Sequence, residues 1–168
     1  NLFKEKKIYK KSEILIEVKS CGICGSDLKI LDFGSSRVKS GTVIGHEISG
    51  KIIINKKKNS KKNIILGADI PIKFKKDFAL GHEIDGGFQK YLSIEKKYFK
   101  KVPNFITKKK INHDLASLSE PLACCLNGFE RMSFKANKNV VIFGAGPIGY
   151  LIAILSIYYG SNKVFLID

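Results

Sequence analysis

From Glu13 to Lys19 the apolar residues Ile14, Ile16 and Val18 alternate with polar neighbours, the period-two pattern of a strand with one face in a core. Strand-like runs recur at Ile48–Ile54, Asn63–Leu66, Phe88–Ile94 and Tyr98–Val102, separated by Gly, Asn, Lys or Pro clusters. Several short strands with turn signals between them predict a barrel-like β domain over the first part of the chain. Beyond Pro103 the period lengthens. Leu115, Leu118, Leu122, Leu126 and Phe129 fall near a 3.6-residue repeat, which predicts a helix. Pro121 lies inside that run and is expected to kink the helix beside Glu120, because it removes a backbone donor.

The last stretch changes again. An apolar strand is predicted at Val140–Phe143, a glycine turn follows, then an apolar helix over about Pro147–Tyr159 and a strand at Val164–Ile167. No charged residue occurs between Asn139 and Asn162, so a membrane span has to be weighed. Its helical part would reach only about 20 Å against a hydrocarbon core of roughly 30 Å, and the turn crowds glycine and proline into the rest. A β-α-β unit is the better reading.

The composition, 44% hydrophobic and 27% charged in 168 residues, is that of a folded chain and excludes disorder and low complexity throughout. A formal charge of +15 raises nucleic acid or an acidic membrane surface as partners. However, Arg37 and Arg131 are the sole arginines, and lysine lacks the flat fork that grips phosphate or guanine bidentately. The lysines are spread out, apart from the five within Lys56–Lys62, which read as an exposed loop tip. A solvated surface is therefore expected, with neither nucleic acid nor membrane as partner. Four cysteines make no disulfide framework, and no signal-peptide pattern precedes the first strand, so a reducing cytoplasm is expected.

Two motifs carry chemistry. Gly144-Ala145-Gly146-Pro147-Ile148-Gly149 stands between a predicted strand and helix, and Asp168 follows 19 residues after the last glycine, at the end of the next strand. That context fits a dinucleotide fingerprint: the glycines let the backbone approach a pyrophosphate, the helix N-terminus stabilises its charge, and the acid accepts from a ribose hydroxyl. The other is Cys21-Gly22-Ile23-Cys24-Gly25-Ser26-Asp27, with Gly45-His46-Glu47 lying 22 residues beyond Cys24. Thiolate, imidazole and carboxylate together are the ligand set of a catalytic zinc. Cys21 and Cys24 can also be read as a thioredoxin-like redox pair, or as half of a zinc knuckle completed by Cys124 and Cys125. A knuckle needs C-x-x-C spacing in both halves, which adjacent cysteines do not supply. Gly81-His82-Glu83 repeats the Gly-His-Glu triplet, and both His82 and His113 read as solvated histidines.

Together, CGICGSD at Cys21–Asp27, GHEISG at Gly45–Gly50, DGGF at Asp85–Phe88, EPLACCLNG at Glu120–Gly128 and GAGPIG at Gly144–Gly149 resemble the zinc-dependent medium-chain dehydrogenases, in particular their sorbitol, iditol and threonine dehydrogenase branch. The resemblance implies an α/β plus β architecture: a GroES-like β-barrel catalytic domain over residues 1–137, then the first β-α-β of a Rossmann domain over 138–168. A doubly wound sheet has about six strands and two are predicted here, so the chain is expected to be part of a protein roughly twice as long and inactive by itself. The implied activity is hydride transfer from a secondary alcohol of polyol or amino-alcohol type to NAD, in a homo-oligomer. Cys24, His46 and Glu47 would hold one zinc. Glu120 would contact that metal directly or through water, Ser26 would pass the substrate proton outwards, and Asp27 would orient the metal-binding histidine. Gly144, Gly146, Pro147, Ile148, Gly149 and Asp168 would bind the cofactor, with Asp168 favouring NAD over NADP. Two departures are visible. Pro71–Leu80 contains no cysteine, so the structural zinc lobe of many relatives is expected to be absent, and Lys29 stands where many relatives have a relay histidine. The competing readings are a thioredoxin-like redox protein and a non-catalytic nucleotide- or polyanion-binding relative.

Overall fold

A computed structural model of the chain describes residues 13–53, 62–70 and 78–168. Most of the lysine run at 56–62 and most of the Pro71–Leu80 segment lie outside the described residues.

The packing divides the chain into two compact units, Asn1–Glu120 and Pro121–Asp168. In the first, strands β1 (Glu13–Gly22), β2 (Glu47–Ile53), β3 (Lys62–Leu66), β4 (Tyr91–Glu95) and β5 (Asn104–Thr107) form one sheet in the order β4-β1-β2-β3-β5. Every neighbouring pair is antiparallel. Alternation decides what faces inward: Ile16, Ile48, Ile64, Leu66, Leu92 and Ile94 are all buried and form one cluster. Burying an isoleucine or leucine side chain contributes about 1.5–3 kcal/mol, so this cluster holds the sheet. The β architecture is as expected, but the sheet does not close. Among the described residues its edges β4 and β5 pair with no sixth strand and not with each other, whereas a barrel requires that last pairing.

Two elements differ from their sequence patterns. Tyr98–Val102 is not a strand. Helix α2 (Lys96–Phe99) occupies its start, and the Val102 amide donates to the Tyr98 carbonyl at 3.0 Å. The apolar residues there, Tyr98, Phe99 and Val102, stand at helical rather than alternating spacing, and all three meet the core cluster. The helical run after Pro103 is two helices rather than one kinked one: α3 (His113–Ser117), capped by the Asn112 side chain, and α4 (Ser119–Arg131). Pro121 falls in the first turn of α4, where its missing N–H would have had no intrahelical partner. Helix α1 (Gly25–Phe33), between β1 and β2, was not evident from periodicity, because it buries only Asp27.

In the second unit β6 (Asn139–Phe143) and β7 (Lys163–Ile167) are parallel neighbours joined through α5 (Pro147–Tyr158). This is the predicted β-α-β. Cys125 and Phe129 of α4 pack with Leu155 of α5, and the Phe129 ring stacks on Tyr159 at 5.5 Å. Among the described residues no helix is long and apolar enough to cross a membrane.

Candidate metal centre

Cys24, His46 and Glu47 reach one point from two elements. Cys24 caps the N-terminus of α1, and His46 and Glu47 lead into β2. Gly22↔Glu47 are paired across β1 and β2, which brings the cysteine motif to the Gly-His-Glu triplet. Gly45 turns the chain there at φ +94°, a conformation suited to glycine, and the Phe88 ring occupies the space a side chain would need.

The sulfur, ring-nitrogen and carboxylate atoms of these three residues lie within 4.8 Å of one another, and among the described residues no other cluster of three such groups occurs. A tetrahedral zinc with bonds of about 2.0–2.3 Å needs ligand atoms about 3.3–3.8 Å apart, so the cluster fits with little adjustment. His46 and Glu47 are buried, and Cys24 is half-buried.

Asp27, 0% exposed, stands behind the cluster. Its Oδ2 accepts from the Cys24 amide at 2.9 Å, while Oδ1 faces His46 Nδ1 at 3.5 Å. Oδ1 and Nδ1 are buried and have no other partner, so the pair satisfies each other only if Nδ1 carries the proton. That tautomer leaves the lone pair on Nε2, the form in which imidazole binds a metal. Glu47 is pushed above the usual carboxylate range by burial, which outweighs the His46 attraction and is reinforced by the nearby Glu120 and Asp27 charges. Three carboxylates around one buried point are an electrostatic deficit that a divalent cation would relieve.

Glu120 is half-buried at the start of α4 and close enough for its charge to act on Glu47, yet it lies outside the 4.8 Å group. Ser26 sits half-buried in the first turn of α1, and Lys29 is exposed on the same helix. Gly22 makes room for the site. A Cβ there would collide with the Glu47 carboxylate and stand 3.1 Å from its Cβ.

The cysteine pair does not have the character of a redox couple. None of the four cysteines is in a disulfide, and the Cys21 thiol is pushed up to about 12, first by burial and then by the Asp27 charge. Disulfide exchange needs a thiolate, and Cys21 donates its proton to the Gly22 carbonyl at 3.6 Å instead. Cys124 is exposed and Cys125 buried, and neither joins a ligand cluster.

The two histidines read as solvated are both engaged. The His113 ring meets the buried Ser49 hydroxyl through Nδ1 at 2.8 Å. Burial, then the Lys51 and Lys19 charges, hold its pKa below the usual histidine value. His82 lies beside the candidate ligand cluster, its ring centroid 5.6 Å from that of His46. Nothing local to Gly81-His82-Glu83 signals this; it follows from Arg37, remote in sequence, gripping Glu83 at 2.8 and 3.1 Å.

In the second unit Gly144 turns the chain at φ +100° and Gly146 caps α5, with Pro147 as its first residue. Gly149 packs so closely on the Gly144 carbonyl that no side chain fits. Asp168 at the end of β7 accepts from the Ala145 amide at 3.2 Å, which places its exposed carboxylate at the glycine turn. Ile148 is exposed in the first turn of α5. These features fit a pyrophosphate at the helix N-terminus with an acid beside it.

The model of the alcohol dehydrogenase GroES-like domain matches residues 10–104. The D-xylulose reductase of Saccharomyces cerevisiae is 29% identical over 96% of this chain and 50% of its own length. Galactitol-1-phosphate dehydrogenase of Escherichia coli superposes with a TM-score of 0.74 at 23% identity, covering 96% of this chain and 49% of that one. An alcohol dehydrogenase of Thermotoga maritima gives 0.78 at 21% identity, over 98% and 52%. The chain thus spans about half the length of the relatives it matches. With the GroES-like match covering more than half of its residues and the motifs resembling the same group, this chain belongs to the zinc-dependent medium-chain alcohol dehydrogenase family.

Proposed function

We propose that this chain supplies the metal centre and the start of the cofactor site of an oxidoreductase that moves hydride from a secondary alcohol to NAD. The observation that carries the reading is the convergence of Cys24, His46 and Glu47 within 4.8 Å, backed by the buried Asp27. Cys24, His46 and Glu47 would hold zinc, which when bound lowers the pKa of a coordinated water or alcohol toward neutrality.

The remaining steps belong to the chain's own residues. Asp27 keeps the proton on His46 Nδ1 and the Cys24 amide in place. Ser26, two residues beyond Cys24, takes the hydroxyl proton of the substrate and hands it to solvent, with exposed Lys29 rather than a histidine beyond it. Glu120, outside the ligand group but acting on Glu47, bears on the site through water. The turn from Gly144 to Gly149, with Pro147 and Ile148 opening α5, holds the pyrophosphate, and Asp168 accepts from a ribose hydroxyl. A carboxylate there repels a ribose phosphate, which favours NAD over NADP. A polyol is the preferred substrate class, consistent with the names of the yeast and Escherichia coli relatives. The domain division proposed is a catalytic part over 1–137 and a cofactor part from 138, in a homo-oligomeric whole protein that lies in the cytoplasm.

The test is NADH formation from sorbitol, butane-2,3-diol and butan-2-ol by the zinc-loaded full-length protein. Turnover should vanish on chelation and return with zinc. Turnover that ignores zinc removal, or none on any of these alcohols, overturns the reading.

A further inference from the structure

The second Gly-His-Glu triplet is docked onto the first. Gly81 packs directly on Gly45: a Cβ at Gly81 would stand 2.8 Å from the Gly45 carbonyl oxygen. The Gly87 amide donates to that same carbonyl at 2.8 Å, and the Val43 amide donates to Asp85 Oδ1 at 3.0 Å. Glu83 accepts from Arg37 Nε and Nη2 and from the Ala79 amide at 2.8 Å. These contacts fix the backbone on both sides of His82, so the position of its ring beside His46 is imposed rather than incidental.

The ring is half-buried. Its Nδ1 meets the Leu80 carbonyl at 3.3 Å, and a carbonyl can only accept, so Nδ1 carries the proton and Nε2 keeps a lone pair. Among the described residues Nε2 has no protein partner. A half-buried ring that presents an acceptor next to a histidine of the proposed ligand cluster is suited to a donor on a small ligand. Alcohols supply such donors, and a diol supplies a second one on the carbon next to the reacting carbon.

We infer that His82 is a specificity-determining residue: its Nε2 accepts a hydrogen bond from the hydroxyl adjacent to the one being oxidised, so the site favours vicinal diols and polyols over simple secondary alcohols. The inference rests on the dehydrogenase reading above. It gives the repeated triplet a role in choosing substrate and assigns it none in holding metal, in keeping with its absence from the ligand cluster.

The experiment uses the zinc-loaded full-length protein and two probes that differ by one hydroxyl, butane-2,3-diol and butan-2-ol. His82→Phe keeps a flat ring and removes the acceptor. The expected result is a drop of about tenfold in kcat/KM for the diol, the size of one hydrogen bond, with butan-2-ol within about twofold of the unsubstituted protein. In the cobalt-substituted protein the visible spectrum should be unchanged by the substitution, while the diol concentration that perturbs it rises about tenfold. Equal losses on both alcohols, no loss on either, or an altered cobalt spectrum without substrate would each overturn the inference. If the unsubstituted protein turns over neither alcohol, the dehydrogenase reading itself falls and this inference with it.

Discussion

Asp27→Asn isolates the carboxylate that ties two of the proposed metal ligands together. The substitution is nearly isosteric, so packing around a fully buried side chain is preserved. The amide can satisfy only one ligand at a time. With its carbonyl toward the Cys24 amide, replacing the 2.9 Å bond, its NH2 group faces His46 Nδ1. Two donors then meet, and His46 must move its proton to Nε2, which blocks that nitrogen as a ligand. With the amide flipped, Cys24 N–H loses its acceptor. Either way one hydrogen bond to a charged group is lost, worth about 1.5–3 kcal/mol. That matches the roughly 10–100-fold loss of metal affinity typical when such a supporting group is removed. The assay is zinc competition against a chromophoric chelator, with denaturant unfolding of the metal-free protein alongside. Metal-free stability should hold, because a buried charge without a full set of partners has been replaced by a neutral group. Zinc affinity within twofold of the unsubstituted protein would refute the orienting role, and unfolding of the metal-free variant would make Asp27 a structural residue instead.

Gly22→Ala should weaken zinc binding at least tenfold, because the new methyl claims the space of the Glu47 carboxylate; adding Glu47→Asp should recover part of it, which the same chelator titration reads. His113 is held below its usual pKa by burial and by Lys51 and Lys19, against the opposing pull of Asp114 and Glu17. Its folded form therefore binds fewer protons than the unfolded chain, and its contribution is present above about pH 6.5 and fades as the pH falls through its lowered value. Denaturation midpoints between pH 7.5 and 5 should thus fall less in His113→Asn than in the unsubstituted protein. Asp168→Ala should move cofactor preference from NAD toward NADP, measured as the ratio of the two kcat/KM values.

What could be read from the chain depended on how far each signal reaches. Ile14, Ile16 and Val18 announce β1 because alternation is local, and the β-α-β at the C-terminal end is legible because its glycine turn and apolar runs are contiguous. Spacing and residue type narrow the ligand candidates to Cys21, Cys24, His46 and Glu47, the motif resemblance selects Cys24, His46 and Glu47 among them, and these three converge within 4.8 Å. Tyr98–Val102 reads as a strand because it is a short apolar run, although its spacing is helical. Pro121 reads as a kink because the periodicity runs through Leu118, where the backbone ends one helix and begins another. The open sheet edge and the position of His82 depend on contacts between remote segments, β3 with β5 and Arg37 with Glu83, for which no local pattern stands.

We propose that Cys24, not the neighbouring Cys21, supplies the thiolate of a single metal centre. Titration of the metal-free protein with cobalt reads this directly through the sulfur-to-cobalt charge-transfer band. The expected band saturates at one cobalt per chain, disappears in Cys24→Ser and in His46→Ala, and survives in Cys21→Ser. A band that persists in Cys24→Ser, or that vanishes with Cys21→Ser, would contradict it.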